Sequence, residues 1–85
     1  MKTFNYTITD PVGLHARPAG LVVTEIKKYN STVTIKKGEK SSDGSKLMKL
    51  MALGIKCGDE VTVEVAGPDE DVAAAAIEGF FNTYL

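Results

Sequence analysis

Three short stretches of this chain alternate between apolar and polar residues, and that alternation limits the folds open to it. In residues 2–9, Phe4, Tyr6 and Ile8 fall on one side, and Thr3, Asn5 and Thr7 on the other. Residues 32–37 set Val33 and Ile35 against Thr32, Thr34 and Lys36, and residues 60–66 set Val61, Val63 and Val65 against Thr62 and Glu64. Successive side chains of a strand point to opposite faces, so each stretch predicts a strand buried on one face only. A sheet of such strands needs cover on one side and tolerates water on the other.

The segments between them supply the cover. Residues 16–28 carry Ala19, Val22, Val23 and Ile26 at helical spacing, and Asn30-Ser31 breaks the helix. Lys37-Gly38-Glu39 predicts a tight turn into a short polar strand over residues 40–43, suited to a sheet edge. Asp43-Gly44-Ser45 introduces a second helix over residues 46–53, with Ser45 as its N-cap and Gly54 as a left-handed end. Lys56-Cys57-Gly58-Asp59 is a turn. The last helix follows Gly67-Pro68, with Asp69 as N-cap and an apolar face of Val72, Ala73, Ala76, Ile77, Phe80 and Phe81. The order is strand, helix, two strands, helix, strand, helix. Periodicity alone gives an α+β class. With 85 residues the chain is expected to be one domain over 1–85, burying about 60–65% of its extended surface.

Chemistry concentrates in Gly13-Leu14-His15-Ala16-Arg17-Pro18-Ala19, which holds the chain's only histidine and only arginine. Pro18 is tolerated in a helix only in the first turn, so the helix begins near Ala16 and His15 falls at about the N-cap. The first amides of a helix lack internal partners and face outward, where they and the dipole favour an anion. Arg17 adds a full charge and a planar fork of donors. That environment disfavours imidazolium, keeps His15 neutral and nucleophilic, and would hold a dianionic group attached to the ring. A lone histidine at a helix start is more often a capping or solvent-exposed residue. His, Arg and Pro together in one first turn point instead to phosphoryl acceptance.

This segment resembles the active-site signature of the HPr family, the histidine-containing phosphocarriers of the bacterial phosphoenolpyruvate:sugar phosphotransferase system. A second match is Lys46-Leu47-Met48-Lys49-Leu50-Met51-Ala52-Leu53-Gly54-Ile55, followed by Gly58 and Glu60-Val61-Thr62-Val63. The resemblance spans essentially the whole chain. It implies an open-faced β-sandwich, a four-stranded antiparallel sheet with three helices on one face (βαββαβα). It further implies that His15 accepts a phosphoryl group on Nδ1 from phosphorylated enzyme I and donates it to enzyme IIA components of sugar transporters. Arg17 and the backbone N–H groups of Ala16 and Arg17 then neutralise charge during transfer. The protein is expected to be a carrier rather than a self-sufficient enzyme, with no metal or organic cofactor.

Two surfaces are candidates for partner docking. Arg17, Gly20, Thr24 and Lys27 step down the helix side opposite its apolar stripe; a solvated face is the plainer reading, and the resemblance favours docking. In the second helix, Leu50 and Leu53 suffice for the core. Leu47, Met48 and Met51 then form an exposed patch near His15, methionine being suited to adaptable contacts. The family's regulatory serine position, at the start of this helix in many Gram-positive members, is Lys46 here. The switch is therefore expected to be absent, with the adjacent Ser45 serving as a cap. Val12 lacks the hydroxyl or amide that some members offer near the active-site loop.

Charge and composition exclude other classes. The net charge is −1, but residues 1–49 carry nine Lys/Arg against four Asp/Glu, and residues 50–85 carry one against seven, so one face is expected to be basic. One cysteine, Cys57, cannot form an internal disulfide, and with one histidine it makes no usual metal set. No leader or 18-residue apolar run is seen, so the chain is expected in the cytoplasm without membrane insertion, and a monomer is the default for a carrier that must expose its active site to several partners. A nucleic-acid-binding module would need aromatics on the open sheet face, whereas Thr32, Thr34, Lys36, Thr62 and Glu64 stand there. The alternative within the family is a regulatory paralogue that binds partners without phosphotransfer. Such relatives lack the active-site histidine.

Overall fold

The computed structural model describes residues 1–14 and 16–85. His15 lies outside the described residues, and with it the expectation that it stands at the helix N-cap. The elements are β1 (Lys2–Thr7), α1 (Ala16–Ile26), β2 (Thr32–Lys37), β3 (Lys40–Asp43), α2 (Leu47–Met51), β4 (Glu60–Ala66) and α3 (Glu70–Tyr84). The strands form one antiparallel sheet in the order β1-β4-β2-β3. This is the open-faced βαββαβα sandwich.

Alternation fixes which face is buried. Phe4 lies opposite Val63, Tyr6 opposite Val61, Val33 opposite Val65 and Ile35 opposite Val63. These side chains meet Val22, Val23 and Ile26 of α1, Leu50 of α2, and Ala73, Ile77 and Phe81 of α3 in one core. Phe81 receives the rings of Phe4 and Tyr6 edge-on, at centroid distances of 5.8 and 5.6 Å. On the other face Lys36 pairs with Glu64 at 3.0 Å, and the Thr62 hydroxyl donates to Asn5 Oδ1 at 2.8 Å.

Several local expectations are corrected. β1 stops at Thr7: Ile8 still donates to its in-register partner Asp59, but its carbonyl accepts from Gly58 instead, and the Thr9 N–H turns to the main-chain oxygen of Leu85. α1 ends at Ile26 rather than Lys28: the amides of Lys28 and Tyr29 reach back only three residues, a tightened final turn. Ser45 does not cap α2. Its N–H and hydroxyl both donate to Asp43 Oδ1, at 2.8 and 2.7 Å, and Lys46 occupies the N-cap without a side-chain bond. A carboxylate two residues upstream takes both donors in an Asx-type turn.

α2 spans five residues, and beyond it Leu53 and Gly54 continue with three-residue bonds into the left-handed Gly54, φ 65°. Asp69 stands at the N-cap of α3 but makes no cap bond; its carboxylate accepts from the Asn30 N–H and the Ser31 hydroxyl. Glu70 instead accepts the Gly67 N–H at 3.3 Å. Val72 is 65% exposed, because the inner line of α3 runs in steps of four through Ala73, Ile77 and Phe81.

Candidate functional site

The loop into α1 is tied at every turn. Asp10 Oδ1 accepts the Val12 N–H at 2.9 Å, and the Asp10 carbonyl accepts the Gly13 N–H at 2.9 Å. The main-chain oxygen of Leu85 accepts from the amides of Thr9 and Asp10 and from the Thr9 hydroxyl. Gly13 has φ 78°, and a Cβ there would lie 2.7 Å from Lys56 Cα and 2.8 Å from the Ile55 oxygen. Only glycine combines that conformation with that approach. Leu14 then buries its side chain in the core and donates its N–H to the Ile55 carbonyl at 3.1 Å. The chain neighbour before His15 is thus anchored through both backbone and side chain.

α1 begins directly after it. Ala16 and Arg17 are exposed, and Pro18 is buried in the first turn, where its missing N–H costs no helical bond. The first amides of a helix have no partner within it, and Arg17 stands exposed in this turn. Arg17, Asp10, Pro18, Leu21 and Tyr84 line a shallow depression beside the turn. Of the residues that the sequence singles out, Ala16 and Arg17 fall in this turn, and His15 lies outside the described residues.

Down the side of α1 opposite its buried stripe, exposure varies. Arg17, Thr24 and Lys27 are exposed and Gly20 is half-buried. The Thr24 hydroxyl donates back to the Gly20 carbonyl at 2.9 Å. Leu21, on the same side of the molecule as the depression, is also exposed. On α2, Met48 is 77% and Leu47 37% exposed, but Met51 is half-buried and packs against the core. The apolar patch is therefore Leu47 with Met48, and Met51 leaves it. Lys46 and Lys49 flank the pair and are exposed. The Asp43 carboxyl is held below its ordinary range, first by the bonds from the Ser45 hydroxyl and amide and then by the charges of Lys46 and Lys49.

Among the described residues no group of three His, Cys, Asp or Glu could hold a metal ion, and no helix is long and apolar enough to cross a membrane. Cys57 is a free, exposed thiol.

The chain matches a family model described as the PTS HPr component phosphorylation site over residues 2–83. A phosphocarrier protein HPr of Mycoplasma capricolum is 44% identical over 78 residues, which is 92% of this chain and 88% of that protein. Among solved structures, a mycoplasma histidine-containing phosphocarrier protein is similar at a TM-score of 0.93 and 41% identity, covering 99% of this chain and 97% of that one. An HPr of Thermoanaerobacter tengcongensis is similar at a TM-score of 0.94 and 32% identity, covering 99% and 94%.

Proposed function

The chain belongs to the HPr family of phosphocarrier proteins, and from that membership we propose that His15 takes a phosphoryl group from phosphorylated enzyme I and passes it to enzyme IIA components of sugar transporters. The observation that carries the reading is the first turn of α1, opened by a buried Leu14 and presenting the amides of Ala16 and Arg17 and the Arg17 side chain.

In each step a ring nitrogen of the neutral acceptor imidazole, Nδ1 on His15, attacks phosphorus. The donor's N–P bond breaks and its electron pair returns to the donor ring. Charge on the transferring oxygens is met by the helix amides and Arg17. The protein changes no substrate by itself, since each transfer needs a partner's active site. It acts as one domain over 1–85, a monomer in the cytoplasm, docking through Gly20, Thr24, Lys27, Leu47 and Met48. Lys46 removes the serine switch of Gram-positive relatives, and the Ser45 hydroxyl is already engaged by Asp43.

The test is incubation with enzyme I, magnesium and phosphoenolpyruvate, read by intact mass. One acid-labile, base-stable phosphate is expected, absent in His15→Ala. Arg17→Ala is expected to slow transfer about 100-fold, the scale of losing one charge-stabilising donor. No incorporation from a cognate enzyme I would overturn the reading and put a non-phosphorylated regulatory role first. Kinase-dependent phosphate on Ser45 would overturn the absence of the switch.

A further inference from the structure

We propose that Lys37, at the end of β2, is a positioning residue for the loop that leads into α1, acting through the shelf of residues 54–59; its bearing on transfer rests on the phosphocarrier reading. The Lys37 ammonium donates to the Gly54 carbonyl at 2.7 Å and to Asp59 Oδ2 at 2.9 Å. The same Asp59 oxygen accepts the Lys56 N–H at 2.8 Å. One side chain therefore joins the chain that leaves α2 to the turn that enters β4.

Between those two attachment points stands Ile55, whose carbonyl receives the Leu14 N–H, and Lys56, whose Cα Gly13 presses against. The shelf is also held at the end of β1, where Ile8 and the pair Asp59 and Gly58 exchange two backbone bonds of 2.9 and 2.8 Å and the Cys57 thiol reaches the Thr9 carbonyl at 3.8 Å, and by the Ile55 side chain, which is buried in the core. The bonds to Ile8 fix its far end. Lys37 spans from that end, at Asp59, to the other, at Gly54, on either side of Ile55 and Lys56, against which Leu14 and Gly13 are placed. Exposed ion pairs usually contribute little. This one differs because both side chains are about 30% accessible and the ammonium serves two elements at once.

The experiment pairs an amide-exchange measurement on the unphosphorylated protein with transfer kinetics. In Lys37→Met, exchange of the Leu14 amide is expected to quicken about tenfold, the scale of a charged hydrogen bond. The kcat of transfer is expected to fall several-fold at unchanged KM for enzyme I. Lys37→Arg, which keeps charge and donors, should recover both. Asp59→Asn should resemble Lys37→Met, and the double variant should be no worse than either, as for a single clasp. Unchanged Leu14 exchange in folded Lys37→Met and Asp59→Asn would overturn the proposal. A raised KM with unchanged exchange would do so as well, making Lys37 a direct partner contact. Exchange needs no phosphate, so a wild type that took none would sink the carrier reading while this measurement still decided the brace.

Discussion

Gly13 shows how much one residue decides. Its positive φ and the Lys56 Cα beside it exclude any side chain. Gly13→Ala is expected to cost about 2–4 kcal/mol in urea unfolding, combining left-handed strain with overpacking. Three aspartates contribute to the acid limit beside Glu25 and Glu70, whose carboxyls are also lowered by bonds from Lys28 and the terminal ammonium. The carboxyls of Asp43, Asp59 and Asp69 lie below their ordinary range because bonds from Ser45, Lys37 and Ser31 favour the charged form. The folded state then binds their protons less readily than the unfolded chain. Their stabilisation is complete above the ordinary carboxylate range and disappears as pH falls through the lowered native values. A thermal midpoint level down to about pH 5 and falling below about pH 4 is expected by circular dichroism, with a shallower fall in Asp69→Asn. The sequence made Pro18 and Gly54 readable because their constraints are local. Asp69 and Ser45 misled because a carboxylate or hydroxyl chooses among donors that only the folded chain assembles; Ser31 is 38 residues from Asp69.

At the scale of elements, the strands were the legible part. A period of two needs only five or six residues to declare which face is wet, and β2 and β4 have the predicted bounds. α2 was harder, since five residues make little more than one turn and leave the phase of its apolar side to tertiary contacts. Met48 and Met51 separate the two roles that the pattern had merged. Met48→Asp is expected to change unfolding free energy by less than about 0.5 kcal/mol while raising the KM for enzyme I. Met51→Asp is expected to destabilise by at least about 1–2 kcal/mol, because a carboxylate would be drawn against the core. Denaturation curves beside transfer kinetics distinguish them. For the first turn of α1 the sequence supplied the neighbours, and the structure supplied the shelf on which they rest.

At the scale of the whole molecule, α+β was readable from pattern, whereas the sheet order β1-β4-β2-β3 was not. Periodicity assigns faces and is silent on neighbours; the four-stranded form came from resemblance. Phe81 ties the layers together, since it carries both aromatic contacts from β1. Phe81→Ala is expected to cost about 3–5 kcal/mol in urea unfolding, with a more open β1 in hydrogen exchange. The pairing of Lys2 with Val65 also has a temporal side. Translation delivers β1 first, yet its only hydrogen-bonding neighbour is the last strand to be made. The search for that distant mate closes a long loop, which slows folding. Until β4 has been synthesised the nascent chain holds an unmated strand, so closure of the sheet waits until the ribosome has passed residue 66.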